Sequence, residues 1–291
     1  MKKVLPTVIL IFLFLIGLSL LLYPSVSNWW NSMHASNAIV DYDAAREGLT
    51  EADYSELFRA AERYNTELST IDFPLMYHEQ VAGYEEQLNV NSSGIMGYIT
   101  IPKIQVQLPI YHGTSEGVLQ KGVGHLAGSS LPIGGEGYHA VLSAHRGLPS
   151  AKLFSDLDRM RQGDRFSLTI LDRVLFYEVD QIRTVEPQEV ENLYPIAGED
   201  HCTLVTCTPY GVNSHRLLVR GRRVEAEAVP LVNPEDATLL PHYAAAPLLG
   251  LPFLLILGLT TGWKMKRRKA YEETGVDYDL NMDAGIACKG P

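Results

Sequence analysis

Three side chains in this chain are of the types that acyl transfer through sulfur requires: Cys207, Arg216 and His145. A thiol attacks an acyl carbon as its thiolate, and a nearby positive charge lowers the pKa that sets how much thiolate exists. An imidazole can protonate the departing amine. An arginine can hold the developing oxyanion or the substrate backbone, and because it stays cationic it is not the proton donor. Cys207 is therefore the candidate nucleophile, His145 the candidate general acid and base, and Arg216 the candidate oxyanion or substrate stabiliser.

The elements around them must bring the three together. Residues 203–206 form a β-branched run that ends at Cys207, and a second apolar run starts just after Arg216. Pro209, Gly211 and Asn213 between them are turn residues, so the stretch reads as two strands joined by a longer loop. Side chains alternate along a strand. Cys202, Leu204 and Thr206 then share one face, and Thr203, Val205 and Cys207 share the other. In the second strand Leu217 and Val219 face the core and Arg216 faces away. Pairing of the two strands puts Cys207 and Arg216 together at a strand end, a thiol beside a fixed positive charge.

The histidine must be chosen from nine. His34 and His242 adjoin apolar runs, His78 lies beside a linker, and His201 sits six residues before the thiol. His145 directly follows the short strand 140–143 and enters a loop with Arg146, Gly147 and Pro149. Catalytic groups are often held at such strand-to-loop junctions.

The run Thr203-Leu204-Val205-Thr206-Cys207 with Arg216 resembles the signature of sortases, the cysteine transpeptidases of Gram-positive cell surfaces. From Thr203 to Arg220 the likeness is to the class C, pilin-polymerising members. It extends over roughly residues 70–225, through Gly122-Val123-Gly124-His125, Gly128-Ser129-Ser130-Leu131-Pro132 and Ser143-Ala144-His145-Arg146-Gly147-Leu148-Pro149. The family motif selects the same histidine. The resemblance implies cleavage of an LPxTG-type sorting signal between Thr and Gly, a thioacyl enzyme on Cys207, and transfer to a lysine amine of the next pilin subunit.

Composition bounds the alternatives. A chain of 291 residues, 46% hydrophobic and 20% charged, suffices for one sizeable core plus extra segments. A net charge of −10 argues against a nucleic-acid partner. With Cys202, Cys207 and Cys288 the only cysteines, a disulfide framework is not expected. Cys202 and Cys207 would lie roughly 16 Å apart on one strand and point oppositely, so Cys202 reads as a small buried apolar residue. There is no HExxH or paired CxxC pattern, so neither metal nor any other cofactor is expected.

In chain order, Lys2-Lys3 precede an uncharged run over 4–22, about long enough to cross a bilayer. Ser25-Val26-Ser27 also fits a signal-peptide cleavage site, but the run exceeds a usual signal core, which favours a retained anchor over residues 1–30. Trp29-Trp30 suit a membrane interface. A second uncharged run over 244–263 is followed by Lys264, Lys266, Arg267, Arg268 and Lys269, a cytoplasmic flank. Both termini are then inside the cell and the central domain outside. A linker over 226–243 and a polar cytoplasmic tail over 264–291 complete this reading.

Residues 31–93 read as a helical region. Thr50 with Asp53 marks a helix start, and Tyr54, Leu57, Phe58, Ala61, Tyr64 and Leu68 recur at helical spacing. Within it, residues 70–79 include Asp72-Phe73-Pro74. Class C sortases often carry an Asp-Pro-aromatic lid at this position, and here the aromatic precedes the proline. As a lid, Asp72 would pair with Arg216 and Phe73 would cover Cys207; otherwise the segment is a linker. From 94 to 225, short β-rich runs punctuated by Gly and Pro fit a mostly antiparallel closed barrel. The fold expected is thus mostly β, a closed sortase-type β-barrel with N-terminal helices, flanked by two transmembrane helices. An anchoring sortase acting on peptidoglycan precursor, a hydrolytic cysteine protease and a non-catalytic membrane-tethered module are the competing functions.

Overall fold

The computed structural model of the protein describes residues 5–225. The expected linker over 226–243, the second span over 244–263 and the tail over 264–291 lie outside the described residues.

The N-terminal run becomes a helix, α1 (Leu5–Glu47), which continues through Pro24 and residue 30 without a break. Its last third carries Ala35, Ile39 and Tyr42 at the four- and three-residue spacing that puts them on one face, and all three are buried. Tyr42 fixes the register of this packing. Its hydroxyl donates to the Met96 carbonyl (3.0 Å) and accepts from the Leu171 amide (2.8 Å). Burial pushes the Tyr42 phenol up to about 12. Arg46, one turn on, donates to the Leu171 carbonyl at 3.0 Å.

Helix α2 (Glu51–Leu68) starts where Thr50 and Asp53 predict, with both halves of a capping box formed. Phe58, Ala61, Tyr64 and Leu68 of its stripe are buried. Asn65 on the same face ties α2 to the Leu131 backbone amide at 2.7 Å. A single turn, α3 (Pro74–Tyr77), follows.

Eight strands close a barrel in the order β1-β2-β3-β4-β7-β8-β6-β5. They are β1 (Ile95–Ile101), β2 (Val106–His112), β3 (Val123–His125), β4 (Tyr138–Ser143), β5 (Arg165–Ile170), β6 (Arg173–Val185), β7 (Asp200–Thr208) and β8 (His215–Val224). A short helical turn, α4 (Glu116–Leu119), lies between β2 and β3. Closure leaves no free sheet edge. The pairing is antiparallel except for β2 with β3 and β4 with β7. Strand β3 has three residues and escapes a pattern search, because an alternation needs at least four to be seen. The parallel β4/β7 pair matters most for the site. It runs Ser143 and Val205 side by side, so both strands reach the same end of the barrel together.

Candidate active site

The thiol strand pairs with its neighbour as the alternation requires. In the antiparallel β7/β8 ladder Cys207 and Arg216 are direct partners. Cys202, Leu204 and Thr206 point into the barrel and are buried, whereas Val205 and Cys207 on the opposite face are partly exposed. Cys202 and Cys207 are both free thiols. Burial pushes the Cys202 thiol well above its ordinary value, which makes it a poor nucleophile.

His145 arrives from β4. The junction is tied twice to β7: the Ala144 amide donates to the Val205 carbonyl (3.1 Å), and the Thr206 hydroxyl donates to the Ala144 carbonyl (2.8 Å). The next residue, Arg146, fastens the loop further. Its guanidinium donates to Asp158 (2.5 Å) and to the Thr208 hydroxyl (3.3 Å), the residue after the thiol. Gly147 has φ +76°, and a Cβ there would come within 2.9 Å of the Tyr210 ring, so the His145 loop and the loop after β7 pack without room for a side chain.

His145, Cys207 and Arg216 line one groove of about 440 Å³, walled by apolar residues that include Val141, Val205 and Leu218. The Arg216 guanidinium donates to the carbonyls of Asn213 (3.2 Å), in the loop before β8, and of His215 (3.1 Å), at the start of the strand. The His145 Nε2 lies 3.3 Å from the Glu116 carboxylate. Glu116 is held below the ordinary carboxylate value, first by the Gln120 amide and then by His145. It lies on a helical turn 29 residues before His145, a contact that no local pattern in the sequence announces. Because the Glu116 side chain is largely exposed, such a pair orients the ring more than it stabilises the fold. Among the described residues no group of three or more His, Cys, Asp or Glu side chains is arranged to hold a metal ion.

The segment over 70–79 does reach the groove, but through a different residue than expected. Asp72 is exposed and forms no ion pair among the described residues, and Phe73 is 65% exposed instead of covering Cys207. The cause is local. Phe73 adopts a left-handed backbone (φ 55°) as the N-cap of α3, and Pro74 opens that turn, so the chain reverses at the aromatic and turns its ring outward. Leu75 is then directed inward. It lines the groove with the three site residues and packs on the apolar cluster of Val141, Val185, Leu193 and Leu218. Gly128 (φ +88°) makes room for the turn, since a Cβ there would lie 2.4 Å from the Pro74 carbonyl oxygen.

Comparisons with known proteins agree with this architecture. A sortase-domain family profile matches residues 99–224. The chain is 50% identical to the sortase C1 of Streptococcus agalactiae, whose crystal structure superposes with a TM-score of 0.62 over 66% of this chain and 100% of that one. The sortase C of Streptococcus pneumoniae is 44% identical, with a TM-score of 0.58 over 66% and 99%. Among curated relatives, the sortase A of Streptococcus agalactiae serotype III is 34% identical over 39% of this chain, a match that spans 47% of that protein. With barrel, groove and relatives in accord, the chain belongs to the sortase family, and within it to the class C sortases.

Proposed function

We propose that this chain is a membrane-held transpeptidase that cleaves an LPxTG-type sorting signal between Thr and Gly and transfers the acyl group to a lysine amine of a pilin. The observation that carries the reading is the register: Cys207 is paired to Arg216 in the sheet and shares one groove with His145. The Cys207 thiolate forms a bond to the threonine carbonyl carbon, and the Arg216 guanidinium stabilises the oxyanion that results. Collapse breaks the Thr–Gly bond, and the glycine amine leaves with a proton from the His145 imidazolium. The acceptor amine then attacks the thioester and gives a proton to neutral His145, and the thiolate departs. The pneumococcal relative is described in connection with pilin substrate specificity, which favours a pilin over peptidoglycan precursor as the acceptor for this chain.

The helix α1 is long and apolar enough to cross a membrane, by length and composition. In this reading residues 4–22 anchor the domain, the basic-flanked run over 244–263 is a second span, and both termini face the cytoplasm. Protease added to intact protoplasts should remove the central domain and spare a tag placed after Pro291; loss of the tag overturns the two-span arrangement. For the chemistry, a sorting-signal peptide incubated with the protein and an added amine should give amide-linked product. Release of free acid alone, with the amine never incorporated, would make the protein a hydrolase instead.

A further inference from the structure

We propose that α1 is a strut that holds the Cys207–His145 end of the barrel down against the membrane surface. The inference rests on the reading that residues 4–22 cross the bilayer.

The direction of α1 along the barrel carries it. Strands β4 and β7 both end at the catalytic side, where His145 and Cys207 sit. Antiparallel pairing, followed from β7 through β8, β6 and β5 to β1 and β2, then places the β1–β2 turn on that side and the β5–β6 turn on the opposite one. The end of α1 is fixed to the opposite side, by Tyr42 and Arg46 on Leu171 of the β5–β6 turn and on Met96 at the start of β1. Its earlier part is fixed to the catalytic side. The Asn31 amide donates to the Ser150 carbonyl (2.7 Å), and Asn28 Oδ1 accepts from the Lys152 amide (2.7 Å). These are the backbone groups of the loop that begins at His145. That loop closes on itself through the Phe154 amide and the His145 carbonyl (3.2 Å) and reaches the β1–β2 turn through the Lys152 ammonium and the Ile104 carbonyl (2.8 Å).

Followed backwards, α1 therefore descends from the far end to the catalytic end and leaves the barrel there. A rise of 1.5 Å per residue puts Asn28 only about 9 Å above Leu22, where the apolar run ends. The same rise puts the far end, at Arg46, roughly 27 Å above Asn28. Trp29 and Trp30, both exposed, stand at the level where the helix meets the loop, as suits side chains at a bilayer interface. The catalytic groove is thus set to work on a polypeptide presented at the membrane surface, and the opposite end of the barrel is held away from it.

The test reads height directly and needs no activity. The full-length protein, with Cys207→Ala and Cys288→Ser, is placed in lipid nanodiscs and labelled with a donor fluorophore at Pro149→Cys, in the catalytic loop, or at Asp172→Cys, in the β5–β6 turn. Both positions are exposed. Gln107→Cys, beside the β1–β2 turn, serves as a second catalytic-side position should Pro149→Cys disturb the loop. Energy transfer to acceptor lipids in the bilayer surface should be several-fold stronger from the catalytic side than from Asp172→Cys. Seven helix-forming residues inserted between Val26 and Ser27 keep nearly the same face and lift the domain by about 10 Å, and should weaken transfer from both positions. Equal transfer from the two ends, or the reverse order, overturns the proposal. Failure of the protein to enter the nanodisc overturns the anchoring on which it rests, and neither result bears on the transpeptidase chemistry.

Discussion

Truncating Leu75 to alanine should unlock the candidate active-site groove. The side chain is half-buried against Val141, Val185, Leu193 and Leu218, and it occupies the groove that also holds Cys207, His145 and Arg216. Complete burial of a leucine is worth about 1.5–3 kcal/mol, so a half-buried one holds its segment closed by about 0.75–1.5 kcal/mol. The substitution removes most of that. At about 1.4 kcal/mol per factor of ten, the open fraction of a predominantly closed segment rises roughly three- to tenfold. The rate at which a small neutral thiol reagent modifies Cys207 should rise by the same factor, followed by mass spectrometry of the intact protein with the adduct mapped to that residue. Asp72→Ala and Phe73→Ala are the controls, because both side chains are exposed and neither touches the site; each should leave the rate near that of the unmodified protein. Unchanged labelling in Leu75→Ala, or equal acceleration by Phe73→Ala, refutes the assignment of Leu75 as the closing contact.

Cys202→Ala should retain most activity, since the thiol is buried inside the barrel; near-complete loss with the fold intact by circular dichroism would implicate it in catalysis. Arg216→Lys keeps the charge but loses the planar forked donors, and turnover of a sorting-signal peptide should fall by more than tenfold, about 1.4 kcal/mol or more in transition-state stabilisation. A lysine variant equal to the unmodified protein would reduce Arg216 to a point charge. Burial holds His125 and His139 down to about 4 in the folded protein. The unfolded chain therefore binds more protons between about pH 6.5 and 4, and stability should fall as pH drops through that window. Denaturant titrations at pH 7 and pH 5 check this, and a midpoint that rises on acidification would contradict it.

Much of the candidate site's geometry was legible because two strands and one turn create it. The alternation of residues 202–207 separates the buried Cys202 from the partly exposed Cys207, and the turn residues Pro209, Gly211 and Asn213 return the chain so that Arg216 pairs with Cys207. The helix start at Thr50 and the stripe through Leu68 were equally local. What could not be read depends on contacts between distant segments. Glu116 meets His145 only because β2, α4 and β3 fold past the end of β4. Leu75, not Phe73, enters the groove because the backbone of Phe73 turns left-handed ahead of Pro74 and Gly128 leaves space for the turn. The unbroken passage of α1 from its apolar run to Glu47 was also hidden, since Pro24 and the tryptophans mark a boundary in composition that the helix ignores.

The central claim is that Cys207, served by His145 and Arg216, carries an acyl group from a sorting signal to an amine. The most direct measurement is mass spectrometry of the protein quenched during turnover of an LPxTG-type peptide, with and without a lysine-bearing acceptor. The account predicts a thioester adduct ending in threonine on Cys207 that disappears when acceptor is added, as an amide-linked product forms, and no adduct in Cys207→Ala. An adduct on Cys202, or turnover that persists in Cys207→Ala, would contradict it.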